Sequence, residues 1–310
     1  MNGSLQRHVP VLAQEVADVF RSVAEGVVVD GTVGCGGHAG VLLETLPPEV
    51  SLLGLDLDAE SLGEAGEFLD GYKERVRLFH RGYHEMDLLL RELEIESVRG
   101  ILLDLGLSSF QLSSGRGFSY KDESELDMKF DGSSEGEGRV DLLKRLSVGE
   151  IARILREYGD VIQAGRCAAM IKRHLDENDS ISASELAAIS SRVVSRGRGR
   201  RFRNPATQIF QAIRIAVNRE LENLARFLQF APDIVARGCP IAVITYHSTE
   251  DRAVKSRFNI LAKGAGGFHL PFRKGIVPGG DEIERNPRAR SARMRILVRD
   301  SGDREREYEG

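Results

Sequence analysis

Residues 27–38 read VVVDGTVGCGGH, and the reading of this stretch decides how the first third of the chain is built. An apolar, β-branched run ends in Asp30, and Gly31, Gly34, Gly36 and Gly37 follow within seven residues. A buried strand that runs into a carboxylate and a glycine-rich turn lets backbone N–H groups approach a ligand closely. Residues 38–46 then continue as a helix whose positive N-terminal end faces the same space. A second apolar run, Ser51 to Leu55, ends in Asp56, twenty residues past Gly36. An acid at the tip of a second strand is placed to accept hydrogen bonds from a ribose diol. The two segments together predict an adenosine-containing cofactor at the edge of a parallel sheet.

The turn does not say which cofactor. The dinucleotide fingerprint G-x-G-x-x-G fits Gly34-Cys35-Gly36-Gly37-His38-Ala39 with alanine in its third place. Glycine-rich strand–turn–helix units also hold S-adenosylmethionine, which has no pyrophosphate to cradle. A tight βα turn with no ligand is the third reading, disfavoured by the density of glycines.

The bulk numbers bound the rest. A chain of 310 residues with 41% hydrophobic and 29% charged side chains suits one large α/β domain with an insertion, or two domains. Residues 1–10 carry no apolar signal core, and no run approaches the length needed to cross a bilayer, so a cytoplasmic protein is expected. Cys35, Cys167 and Cys239 are odd in number and form no C-x-x-C pair, which points to neither a disulfide framework nor a metal site. Net charge is only −4, but residues 192–203, RVVSRGRGRRFR, hold six arginines and no acid. Arg198, Arg200, Arg201 and Arg203 lie in this run, interleaved with glycine in a way that suits phosphate tracking. A second basic run comprises Arg285, Arg288, Arg290, Arg293, Arg295 and Arg299. Either run could be a solvated loop, and two on one chain favour a polyanionic partner.

Apolar runs at 27–29, 52–55, 76–79 and 100–103 alternate with helical stretches near 40–46, 59–69 and 85–93, after a leading helix at 12–22. This is the βαβα pattern of a doubly wound, mostly parallel sheet. Residues 106–138 read as a long loop rich in Ser, Gly and acids. Helices follow at 148–158, 161–175 and 184–194, with Ser182 and Glu185 as a capping box for the last. The division expected is a core of residues 1–118 and 204–310 with a helical insertion at 119–203. A single helix is expected over 207–228, then a strand at 241–245, a helix capped by Ser248 and Asp251, and a last strand at 294–298.

Five segments in this order carry a resemblance: DGTVGCGGH, GILLDLGLSSFQL with GRGFSY, RFRNPATQIFQAIRIAVNREL, YHSTEDR and NPRARSARMRIL. They resemble the bacterial small-subunit ribosomal RNA cytosine-N4 methyltransferase family, MraW, over nearly the whole chain. The resemblance implies a class I methyltransferase core interrupted by a helical substrate domain. It implies S-adenosyl-L-methionine as cofactor and, as substrate, a cytosine amine in the decoding region of 16S ribosomal RNA. The partner is then an assembled or assembling small subunit, and a homodimer is left open. Cofactor contacts carried over are Gly36, Gly37, His38, Asp56, Tyr83, Asp104 and Gln111, with Gly34 added from the turn itself. Tyr83 stands where the family often has phenylalanine, and Thr245-Tyr246-His247-Ser248-Thr249 where its pattern is Ser-Phe-His-Ser-Leu.

A cytosine amine is a poor nucleophile, because its lone pair is delocalised into the ring. Acceptors on its N–H groups would stabilise the charge that develops as nitrogen attacks. Amine methyltransferases commonly place D/N/S-P-P-Y/F after the fourth strand; here Asp104-Leu105-Gly106-Leu107 keeps only the acid. Asp104 is therefore expected beside the methyl donor, with Ser108, Ser109 or backbone carbonyls sharing the acceptor work. His247 is weighed between proton acceptor, RNA contact and strand-end structural residue. Asn204 is a candidate contact to the target nucleotide or simply the start of a helix. Phe110, Phe118, Tyr120 and Tyr246 are candidate stacking surfaces for an unstacked base. Attack by carbon would require a thiolate, and none of the three cysteines is well placed. An NAD-dependent oxidoreductase would explain the glycine turn but not the arginine runs. A non-catalytic RNA-binding assembly factor would explain the runs but not the intact cofactor residues.

Overall fold

The computed structural model describes residues 10–107, 111, 115–118, 126–131, 139–193 and 205–302. The first half of the chain runs α1 (Ala13–Phe20), β1 (Gly26–Asp30), α2 (Gly37–Thr45), β2 (Val50–Asp56), α3 (Ala59–Phe68), β3 (Val76–His80), α4 (Met86–Glu92) and β4 (Gly100–Asp104). After α5 (Arg139–Arg145) come α6 (Val148–Gly159), α7 (Ala164–Glu177), α8 (Ala183–Val193), α9 (Pro205–Val217) and α10 (Glu220–Ile234). The last third adds β5 (Pro240–Thr245), α11 (Ser248–Lys263), β6 (Phe268–His269), α12 (Gly280–Arg285) and β7 (Arg293–Arg299).

Seven strands form one sheet in the order β3-β2-β1-β4-β5-β7-β6. β1 to β5 pair in parallel, and β7 runs antiparallel to both β5 and β6. The strand order reverses between β1 and β4, so a crevice opens at their carboxyl ends. Central strands covered by helices on both faces need near-continuous apolar sequence. Val28, Val29, Leu52, Leu53, Leu55, residues 101–103 and residues 241–244 are accordingly buried. Asp58 accepts hydrogen bonds from the N–H groups of Glu60 and Ser61 and so starts α3 close behind β2.

The chain divides into two compact units, Met1–Gly106 with Glu222–Gly310, and Leu107–Leu221. The helical unit therefore begins earlier and ends later than residues 119–203. Its core explains why: Ile209, Ala212 and Ile213 of α9 bury against Ile151 and Leu155 of α6 and Ile171 of α7. At the last residue of α6, a Cβ on Gly159 would lie 2.4 Å from the Gln208 carbonyl oxygen, so only glycine permits this approach of α6 to α9.

The single helix expected over 207–228 is two. Arg219 takes a left-handed φ of 51°, and the Asn218 amide donates to the carbonyls of Met128 and Arg214 and accepts from the Phe130 N–H. The left-handed residue breaks the i→i−4 ladder, and the Asn218 side chain, tied to the loop at 128–130, holds the break in place whatever the apolar periodicity. The Ser182–Glu185 capping box forms as expected, with Glu185 N–H to Ser182 Oγ at 3.2 Å and Ser182 N–H to Glu185 Oε2 at 2.8 Å. The cap of α11 is His247 rather than Ser248, and the Asp251 carboxylate is taken instead by Arg295.

Candidate active site

The carboxyl ends of β1, β2 and β4 bring three carboxylates to the crevice. Asp30 ends β1 and is 1% exposed. Its Oδ1 accepts the Thr32 N–H at 3.1 Å, while Oδ2 is buried with no hydrogen-bond partner. Burial pushes this acid up to about 7, opposed by His38 and the Thr32 N–H and reinforced by Asp104 and Asp56. Asp56 ends β2, accepting the Gly34 N–H on Oδ2 at 2.8 Å and the Asp58 N–H on Oδ1 at 2.9 Å. Burial raises it to about 6 despite those two donors. Each carboxylate oxygen carries two lone pairs, so Asp56 keeps acceptor capacity for a diol.

The glycine turn takes backbone conformations that need glycine. Gly34 and Gly36 have φ of 51° and 89°, conformations that a side chain resists. Gly36 starts α2 with no side-chain cap, which leaves the N-terminal turn of the helix to other acceptors. Gly31, however, is required by packing rather than by a ligand, since its Cβ would lie 2.4 Å from Leu103 Cδ2.

Asp104 is held at the rim through both its backbone and its side chain. Its backbone N–H donates to Thr32 Oγ1 at 2.6 Å, and its Oδ1 accepts the Tyr246 hydroxyl at 2.7 Å. Its Oδ2 lies 3.6 Å from His38 Nδ1. His38 is buried, and its Nε2 is 2.9 Å from the Val11 carbonyl, so that nitrogen carries a proton and Nδ1 turns toward Asp104. Tyr246 is pushed far above its usual range by burial and by Asp104, so it stays a donor at all working pH values. Its ring lies against Gly106, where a Cβ would meet Tyr246 Cε2 at 3.0 Å. Thr32 and the Tyr246 hydroxyl were not assigned these roles from sequence. In the sequence Asp30 reads only as the end of a strand. Its position closing a buried apolar run was the available signal.

Tyr83 opens a short turn after β3 and packs edge-on to Phe227 at 5.9 Å between ring centres. His247 is buried at the start of α11: its Nδ1 accepts the Glu250 N–H at 3.4 Å, and its Nε2 lies 2.9 Å from Glu250 Oε1. Gln111 is buried within the helical unit, where Phe118 stacks on Phe130 as core. Ser108, Ser109, Phe110, Tyr120, Asn204, Arg198, Arg200, Arg201 and Arg203 lie outside the described residues. Part of the second basic run is engaged by the chain itself, while Arg285, Arg288 and Arg290 are exposed. Arg295 pairs with Asp251 at 2.6 and 2.9 Å, Arg299 donates to the Val235 carbonyl, Arg293 to that of Lys274 and Arg285 to that of Asp281. Arg295 of this run is thus a packed, charge-paired residue, while the exposed members stay open to a polyanion.

None of the cysteines is a ready nucleophile. Burial raises Cys35 and Cys239, and lifts Cys167 to about 11. Among the described residues, no helix is long and apolar enough to cross a membrane.

Three acids around one histidine, with a buried Asp30 oxygen lacking any partner, leave the crevice short of positive charge. That deficit fits a ligand bearing sulfonium and ammonium groups and an adenosine diol. A seven-stranded sheet with β7 reversed, an acid–glycine turn after β1 and an acid after β2 defines a class I S-adenosylmethionine-dependent methyltransferase. Comparison with known proteins is narrower still. The model of the MraW methylase family matches residues 5–300. Ribosomal RNA small subunit methyltransferase H of Thermotoga neapolitana is 42% identical over 302 residues, covering 96% of this chain and 98% of that one. The protein of the same name from Syntrophotalea carbinolica is 40% identical over 314 residues, covering 96% and 100%. The chain belongs to the MraW methylase family. Neither the oxidoreductase nor the non-catalytic alternative finds support in these matches.

Proposed function

We propose that this protein transfers a methyl group from S-adenosyl-L-methionine to the N4 amine of a cytosine in the decoding region of 16S ribosomal RNA. The observation that carries the reading is Asp104, held at the rim of β4 by the Thr32 hydroxyl and the Tyr246 hydroxyl with its second oxygen toward His38. Bound S-adenosylmethionine would supply an electrophilic methyl group on sulfonium. The diol end of that cofactor is assigned to Asp56, and its remaining contacts to Gly34, Gly36, Gly37, His38, Tyr83 and Gln111.

Attack by a cytosine nitrogen needs its N–H groups held by an acceptor and the nitrogen oriented in line, so positioning supplies much of the rate. Asp104 Oδ2 is the acceptor we assign, with Ser108 sharing the task. The proton shed after transfer passes to Asp104, within reach of His38 Nδ1. His247 is assigned to the site as a candidate proton acceptor, its Nδ1 accepting the Glu250 N–H and its buried Nε2 lying near Glu250 Oε1 without a hydrogen bond. Asn204 and Arg198, Arg200, Arg201 and Arg203 are assigned to the RNA. The setting is the cytoplasm and the substrate an assembled or assembling small subunit, with a homodimer as a further option.

The test is Asp104→Asn, which keeps the shape and removes the charge. We expect methylation of small-subunit RNA, read by mass spectrometry, to fall about a hundredfold or more, in line with the loss of one positioned polar group. Calorimetric affinity for S-adenosylhomocysteine should change by no more than a few-fold, and NAD should not bind. Full methylation by the variant would remove Asp104 from the chemistry.

A further inference from the structure

A long stretch of the sheet-bearing unit contains no acid at all. Between Asp251 and Asp281 stand Arg252, Lys255, Arg257, Lys263, Arg273 and Lys274, in a chain whose net charge is −4. Arg257 donates to the Leu228 carbonyl. The other five are exposed and form no ion pair among the described residues. Arg252, Lys255, Asn259 and Lys263 recur at spacings of three, four and four along α11, which places them on one face. That row is about 16 Å long at 1.5 Å per residue. Beside it a shallow cleft is lined by Lys255, Asn259, Leu270, Phe272 and Arg273, with Arg295 behind them already neutralised by Asp251. Phe272 stands 51% exposed at this cleft.

We propose that this face of α11 and the adjoining residues 270–274 are a docking surface for single-stranded RNA, outside the methyl-transfer crevice. The inference rests on the RNA substrate proposed above and extends it to a second contact. A linear row of unpaired cations suits a chain of phosphates better than a single anionic group. A large exposed aromatic among cations is what sequence-tolerant binding of unstacked bases uses, the ring taking the base and the cations the backbone. Within the basic run at 285–299, Arg295 is buried and paired with Asp251 while Arg285, Arg288 and Arg290 are exposed, so the face of α11 adds to the positive charge that the sheet-bearing unit presents.

The experiment compares full-length wild type with Lys255→Gln/Arg273→Gln, Phe272→Ala and Phe272→Trp. The probe is a fluorescein-labelled single-stranded RNA of the decoding-region sequence, with anisotropy read from 50 to 300 mM salt. Loss of two single-strand phosphate contacts should weaken binding about tenfold near 0.15 M salt and flatten the log–log salt slope by about 1.4. Phe272→Ala should weaken it about fivefold or more, and Phe272→Trp should restore it. Melting temperature and S-adenosylhomocysteine affinity should stay at wild-type values in all three. Unchanged RNA affinity and slope would overturn the proposal. So would a defect confined to assembled subunits, which would indicate a protein partner, or one confined to vesicles containing phosphatidylglycerol. Wild-type protein that methylates no small-subunit RNA would instead sink the function reading, whatever the variants bind.

Discussion

Replacing Asp30 by asparagine should stabilise the protein at and above neutral pH and do progressively less toward pH 4. Asp30 is 1% exposed, receives one backbone N–H on Oδ1 and receives nothing on Oδ2. Burial moves it from 3.8 to about 7. An acid whose folded-state pKa lies above its unfolded value contributes stability that is complete below the unfolded value. That contribution is lost as pH rises through the folded one, since the folded chain holds the proton more tightly. The gap is about three units at about 1.4 kcal/mol each, so the ceiling is about 4 kcal/mol. Most of the loss falls between pH 4 and 7. Asparagine keeps the acceptor for Thr32 and has no charge to desolvate. Urea unfolding of cofactor-free wild type and Asp30→Asn at pH 5, 6, 7 and 8 measures the difference directly. The variant's advantage should grow by about 2–3 kcal/mol from pH 5 to pH 8. A difference that stays flat with pH would mean that Asp30 is not strained by burial, and the account of a crevice short of positive charge would fall with it.

Two further outcomes test the geometry. Tyr246→Phe removes the 2.7 Å hydrogen bond to Asp104 Oδ1 while keeping the ring on Gly106. A hydrogen bond to a charged group contributes about 1.5–3 kcal/mol, so kcat should fall about tenfold or more while cofactor affinity stays within about threefold. An unchanged kcat would make the hydroxyl a bystander. Gly159→Ala should lower stability by about 1–3 kcal/mol in thermal unfolding, because the new methyl meets the Gln208 carbonyl at 2.4 Å. Helix propensity alone predicts the opposite sign, so a raised melting temperature would refute the close α6–α9 approach.

Much of the architecture was legible because it is written over short distances. The strand ending in Asp30, the glycine turn, the second strand ending in Asp56 and the Ser182–Glu185 capping box each follow from residues within a few positions of one another. Where a local signal met a competing side chain, it failed. Periodicity ran straight through residue 219, but the Asn218 amide closed the helix there. Ser248 and Asp251 matched a cap, yet His247 took the position and Arg295 took the acid. Arg295 and Arg299 looked free because their carboxylate and carbonyl partners lie 44 and 64 residues away in the chain.

By itself the sequence determined a doubly wound sheet, an acid–glycine turn shaped for an adenosine ligand and membership of a methyltransferase family. Only the tertiary structure decided how the acids at that turn behave. Asp104 meets Thr32 and Tyr246 across 72 and 142 residues, and His38 meets Val11 across 27. Sheet order brings those strand ends together, and burial then sets which carboxylate is partnered and which is left alone. A chain read one residue after another holds the groups but not their distances, and electrostatics depends on the distances.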